Sequence, residues 1–195
     1  ADIDGDRAKE MFGDVPFVKL DFTDYNTYEK ALDGVNKVFL LRPPAIANIK
    51  KHMAPFIELA AKKRIEQMVF LSLQGVENNK ITPHYKIEKA ILENNIDYTF
   101  LRPSFYMQNL ATTHREDIQY DNEICVPAGN GKTSFIDVRD IGSVGAKVLM
   151  EDGHLNKAYE LTGNDSLTYY EVADIFTEVL GRKIEYTKPS VFKFF

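Results

Sequence analysis

Residues 84–109, HYKIEKAILENNIDYTFLRPSFYMQN, decide how this chain is read. Ile87, Ala90, Ile91 and Ile96 follow helical spacing, and Asn94-Asn95 breaks it. Tyr98-Thr99-Phe100-Leu101 is β-branched and aromatic, which predicts a buried strand. Arg102-Pro103 is expected to stop it, because proline has no N–H for a ladder. In an open α/β sheet, ligands bind beyond the carboxyl ends of the strands. A reactive site is therefore expected over Arg102 to Asn109, with His84 entering from the preceding helix.

The chain on either side repeats the pattern. Apolar runs at 17–20, 38–41 and 68–71 predict further buried strands, each followed by a polar or proline-bearing turn. Between them lie a helix over 25–32, opened by Thr23 or Asp24 and closed by Gly34, and a long helix over 46–63. Pro55 predicts a kink or a restart within the second. Residues 2–12 read as a short surface helix. Strands that are apolar throughout and alternate with helices indicate a parallel sheet covered on both faces. After Leu110 the pattern changes to short extended runs at 124–127, 133–136, 158–161 and 184–186. They are interleaved with a helix capped by Asp137 or Asp140 and another over 167–180, opened by Ser166 or Thr168, with Glu171 three residues after Thr168 as a capping box. The expected organisation is a core over residues 1–118 and a smaller, partly interleaved α+β lobe over 119–195.

Composition excludes several classes. Apolar residues make up 44% and charged residues 27%, ordinary for a globular protein. The net charge of −5 argues against a nucleic-acid partner. The single cysteine, Cys125, excludes an intrachain disulfide framework and a multi-cysteine metal site, and favours a cytoplasmic location. No apolar run reaches membrane-spanning length, so no membrane partner is expected. His52, His114 and His154 lack paired metal spacing, so no metal is expected. Gly129 and Gly131 belong to a turn, because no strand–turn–helix frames them as a phosphate loop.

Four stretches resemble the NmrA-like branch of the atypical short-chain dehydrogenase/reductases: LDFTDYNTYEKALDGVNKVFLLRPP, HYKIEKAILENNIDYTFLRPSFYMQNL, VPAGNGKTSFIDVRDIGSVGAKVL and AYELTGNDSLTYYEVADIFTEVLGRKIEY, in the family's order. The resemblance, strongest to bacterial NAD(P)H quinone and azo-dye reductases, implies a Rossmann-like doubly wound sheet. Members of the family begin with a strand, a G-x-x-G-x-x-G turn, a helix and a second strand, and the glycines admit a dinucleotide pyrophosphate. Gly5 and Gly13 do not provide that pattern, and the sequence closes on Phe192-Lys193-Phe194-Phe195. The expectation is a chain lacking the N-terminal βα segment and part of the C-terminal lobe.

The resemblance also implies roles. Asp21 and Phe22 correspond to residues that flank the adenine; an N-cap and a core aromatic are the alternative. Leu41, Arg42 and Pro43 correspond to the loop past the ribose and pyrophosphate, where a guanidinium suits a phosphate. Ser72 occupies the loop where a hydroxyl lies near the nicotinamide, unless it only caps a helix. Tyr85 and Lys89 formally give Tyr-x-x-x-Lys, but the register counted back from Ile96 aligns His84 with the lysine that many relatives carry. His84 is accordingly the expected catalytic and cofactor-binding residue, with an imidazole that titrates near neutrality. Pro103 completes the cofactor-binding set. Phe105, Tyr106 and Asn109 are expected on the substrate side, where Phe105, Tyr106 and Met107 form an apolar wall for a flat aromatic, or else core. Arg139 is expected to tie the lobe to the sheet.

The function implied is an NAD(P)H-dependent oxidoreductase, NADPH favoured over NADH, passing hydride to a quinone-like or other conjugated small molecule. A homodimer fits the resemblance. The rival readings are an NADP-sensing regulator without catalysis and an inactive truncated remnant.

Overall fold

Three of the four expected strands assemble into one parallel ladder. β1 (Lys37–Leu40) pairs with β2 (Gln67–Leu71), and β2 pairs with β3 (Tyr98–Pro103). With β6 (Lys157–Leu161) they form a sheet of order β1-β2-β3-β6. The structure is a computed structural model that describes residues 1–190; Phe192 to Phe195, expected as an early end of the tail, lie outside the described residues.

Two compact units partition the chain. The first comprises Ala1–Arg102 and Gly145–Tyr159; the second comprises Pro103–Val144 and the chain from Glu160 onward. The first division thus falls at Arg102, where the sequence reading put it at 118.

In the first unit, α1 (Gly5–Phe12) opens on Asp4, whose carboxylate accepts from the Arg7 amide, and buries none of its residues. The run 17–20 is not a strand. Lys19 makes an isolated bridge to Asp2, and Phe17 is exposed. Apolar character favours extension, but a strand needs a continuous neighbour to pair with. The expected helix over 25–32 resolves into a 3-10 turn, Tyr25–Thr27, capped by Asp24, and a single helical turn, α2 (Tyr28–Ala31). The long helix also divides, into α3 (Ile49–His52) and α4 (Ala54–Lys62). Pro55 lies in the first turn of α4, where its missing N–H costs nothing, so the proline restarts the helix. After a 3-10 turn, Val76–Asn78, α5 (Pro83–Glu93) carries His84 in its first turn, capped by Thr82. β3 runs on through Arg102 and Pro103 instead of stopping before them; a proline at the strand's last position forfeits a donor but not its carbonyl. Phe70, Phe100, Met53, Ile57, Met68, Ile87 and Ile91 are fully buried and form the core of this unit. A cavity of about 320 Å³ lies where β1 and β2 begin, lined by Lys37, Glu66, Gln67, Asp152 and His154. That is the end of the sheet opposite the loops in which site residues are expected.

The second unit contains α6 (Gln108–Ala111), a π-helical turn Asp117–Asp121, and two small ladders. β4 (Glu123–Ile124) runs parallel to β8 (Glu185–Tyr186), and β5 (Lys132–Thr133) antiparallel to β7 (Leu167–Thr168). α7 (Val138–Met150) begins here, and its residues from Gly145 onward group with the first unit. Asp137 opens it by accepting from the Arg139 amide at 2.8 Å. Arg139 does not tie elements together: its guanidinium folds back on Asp137 at 2.6 Å and remains exposed. α8 (Tyr169–Leu180) starts with the expected capping box between Thr168 and Glu171 and ends at Gly181 with φ +63°. Thr168→Ala is expected to lower stability by about 1 kcal/mol, the usual cost of an N-cap; a urea titration of the variant checks it. Its apolar face packs Tyr169, Val172 and Ala173 with Ile124, Phe135 and Ile184.

Candidate functional site

The expected residues of the first unit lie just after its parallel strands. β1 delivers Leu41, Arg42 and Pro43; β2 delivers Ser72; α5 brings His84 back beside β2. The His84 imidazole stacks on Phe70, with ring centroids 5.9 Å apart and planes at 29°. Phe70 is fully buried and fixes the floor under that ring. Burial first, and then the Arg42 guanidinium, push His84 down to about 4. This corrects the expectation of titration near neutrality. At pH 7 the ring is neutral, so it offers one N–H donor and one lone-pair acceptor and cannot stand in for a lysine's positive charge.

The low value has a consequence for stability. The unfolded chain binds a proton on this histidine near pH 6.5, whereas the folded chain resists until about 4. The stabilisation is present in full above pH 6.5 and is lost as pH falls through that window. Urea unfolding between pH 7 and pH 4 is expected to show a decline that is shallower in His84→Phe.

Ser72 is 2% exposed, and its hydroxyl has no hydrogen-bond partner, although its backbone N–H donates to the Leu101 carbonyl at 2.8 Å. Arg42 turns inward on its own loop. Nη1 donates to the carbonyls of Pro43, Pro44 and Ile46 at 3.1, 3.0 and 3.0 Å, while the buried Nε has no partner. The guanidinium therefore shapes the proline loop rather than projecting a fork toward a phosphate. Leu41 is exposed and Pro43 partly buried.

Phe22 is a core aromatic, but Asp21 is not an N-cap: Asp24 caps the turn that follows. The Thr23 hydroxyl and amide both donate to the Asp21 carboxylate and hold it below the usual carboxylate range. The Phe22 ring is buried edge-on to Tyr28 and Phe56. Tyr28 places its hydroxyl between the carbonyls of Phe22 and His52, and burial pushes it up to about 12. His52, which the sequence presents only as a histidine without metal spacing, has its Nδ1 buried without a partner. A lone histidine with no metal spacing gave no signal for it.

In the second unit, Pro103 is buried. Phe105 is not an open wall: it stacks on His114 and meets Phe135 and Tyr169 edge-on. Tyr106 and Asn109 are partly buried, and Met107 is exposed. Burial raises the Tyr106 phenol above its usual value. Among the described residues, no three His, Cys, Asp or Glu side chains lie together as a metal site, and no helix is long and apolar enough to cross a membrane.

The model of the NmrA-like family matches residues 8–195. The chain belongs to the NmrA-like family. Among relatives of this NmrA-like chain, NAD(P)H azoreductase of Xenophilus azovorans is 31% identical over 85% of the chain and 59% of its own length. Prestalk A differentiation protein A of Dictyostelium discoideum is 28% identical over 97% of the chain. The crystal structure of Citrobacter triphenylmethane reductase with NADP(H) superposes with a TM-score of 0.85 at 26% identity, covering 98% of this chain and 70% of that one. The NmrA-like chain spans 64% of the length of the Dictyostelium relative.

Two side chains organise this NmrA-like site: Arg102, which opens the expected stretch Arg102 to Asn109, and Glu88, which lies outside the expected set. Arg102 donates from Nε and Nη2 to the Glu88 carboxylate at 3.1 and 2.8 Å, and Glu88 is 5% exposed. The signal for it was weak: an acid one helical turn beyond His84 on the inner face of α5.

Proposed function

We propose that this chain belongs to an NAD(P)H-dependent reductase, with NADPH the preferred donor and a quinone-like or other conjugated small molecule as acceptor. The observation that carries the reading is the set of buried polar atoms without partners: Arg42 Nε, His52 Nδ1 and Ser72 Oγ. Arg42 and Ser72 directly follow β1 and β2, where an open sheet binds ligands, and His52 ends α3 in the crossover between them. Buried donors and acceptors are normally satisfied, and a polar ligand would satisfy this set. The names of the azoreductase and of the triphenylmethane reductase support the same reading.

A bound nicotinamide supplies hydride. The chain's residues supply position and protons. Ser72 offers its unsatisfied hydroxyl to a carbonyl or amide oxygen. Neutral His84 can accept a proton at one ring nitrogen while donating from the other. Arg42 keeps the proline loop in shape and presents Nε. Tyr106 and Asn109, partly exposed, remain the substrate-side candidates, whereas Phe105 is engaged in packing.

NADPH titration, followed by the emission of the nicotinamide itself, tests the reading in a chain that contains no tryptophan. Saturable enhancement is the expected result; a flat response removes the proposal. Consumption of NADPH with a quinone panel supports catalysis, and binding without consumption favours a sensing role. Ser72→Ala separates ligand from scaffold. Removing an unsatisfied buried hydroxyl should leave stability unchanged or raise it by up to about 1 kcal/mol, while NADPH affinity falls about tenfold.

A further inference from the structure

We infer that Arg102, with Glu88 and Glu77, is a clamp that positions His84 and the Ser72 loop for the reaction. The inference rests on the reductase reading for its functional meaning and on geometry for its substance. Arg102 sits near the end of β3 with its side chain mostly buried. One edge of its guanidinium, Nε with Nη2, binds Glu88 as a fork, and Nη1 reaches Glu77 at 3.3 Å. Glu88 lies one helical turn beyond His84 on α5, on the side that buries Ile87 and Ile91. Glu77 lies in the 3-10 turn that follows the left-handed Gly75 at the end of the Ser72 loop. One guanidinium therefore joins the strand end, the helix that carries the imidazole and the turn that closes the serine loop.

The fork fixes more than distance. A bidentate guanidinium–carboxylate pair sets orientation as well as separation, which a lysine point charge does not. Ile87 and Ile91 hold α5 against the sheet, but apolar packing alone tolerates small slides along the helix axis. The pair supplies a directional pin one turn from the imidazole and so sets the height of His84 over Phe70. Without the pin, the first turn of α5 lifts, the ring leaves Phe70 and water reaches it. Arg102 and Glu88 touch no reacting atom in this scheme; they act through His84.

The test is an NMR titration of the His84 ring in the full chain without cofactor, with His84→Gln identifying the signal. In Glu88→Gln the His84 titration should rise by about one unit or more as the ring becomes solvated. The change of charge alone acts the other way: loss of a carboxylate makes the surroundings more positive and lowers a histidine further. An upward shift therefore reports position. An unchanged or lowered titration in folded Glu88→Gln overturns the inference and leaves the pair a scaffold contact. Should Glu88→Gln fail to fold, Arg102→Lys keeps both charges and removes only the fork; a rise there supports the clamp, and no rise overturns it. Because no cofactor is present, failure of NADPH binding sinks the reductase reading without touching this result.

Discussion

Glu88→Ala is expected to lower the free energy of unfolding by about 3–5 kcal/mol, the cost of removing one partner from a buried ion pair. The side chains of Arg102 and Glu88 are 19% and 7% exposed, so the pair is largely out of water. Much of the loss is the cost of leaving a guanidinium in a poorly solvated place. Glu77 offsets little of it, because its side chain is 44% exposed and its contact is at 3.3 Å. The same reasoning makes the double replacement Glu88→Leu with Arg102→Met milder than Glu88→Ala, since no charge is then buried. A double-mutant cycle by urea unfolding measures both. A loss below about 1 kcal/mol for Glu88→Ala would place the pair with solvent-exposed bridges and remove its claim to pin α5.

Gly163→Ala is the second large effect, and it comes from contact rather than from charge. A Cβ built at Gly163 runs into the Phe135 carbonyl oxygen and lies 3.2 Å from its carbon. The obstacle is backbone, and it cannot retreat easily. The next residue, Ile136, donates its N–H to the Phe105 carbonyl at 3.0 Å and accepts from the Met107 N–H at 2.9 Å. The Phe135 ring is itself wedged edge-on between Phe105 and Tyr169. Overpacking of this kind costs about 1–3 kcal/mol, and a pinned backbone neighbour puts Gly163→Ala at or above the top of that range. Gly142 is the control. It lies inside α7 with nothing within 4 Å of its added Cβ. Gly142→Ala should therefore raise stability by about 0.5–1 kcal/mol through helix propensity alone. Thermal unfolding of the two variants should move in opposite directions; equal shifts would refute the steric account.

The contrast between these glycines shows where sequence reading reaches and where it stops. Both are plain glycines in the sequence, and only tertiary contact separates them. The strand segments 38–40, 68–71 and 98–101 are legible because a continuous apolar run has few other uses at that length. The box at Thr168 and Glu171 was legible because both partners lie within one turn. The run 17–20 has the same apolar character, yet strandhood depends on a neighbour that the run itself does not specify. Arg102 and Glu88 are 14 positions apart on different elements, so no local pattern joins them. His84 was picked out by register, but its neutral state follows from Phe70 and Arg42, which only folding brings to it. Phe105 shows the complementary case: the sequence leaves an aromatic in this loop open to a ligand or to core, and only the folded neighbours His114, Phe135 and Tyr169 show how it is packed.

The strand order carries a kinetic implication. β2 is hydrogen-bonded on both sides, to β1 and to β3, whereas among the described residues β1 has a partner only on the β2 side. Amides along Gln67–Leu71 can give up their deuterium only when the whole sheet opens. Those of Lys37–Leu40 that point away from β2 need no such event and should exchange through small local fluctuations. β3, between β2 and β6, is protected in the same way, so the slowest-exchanging peptides are expected within β2 and β3, and the floor of the candidate site at Phe70 is among the last parts of the sheet to loosen.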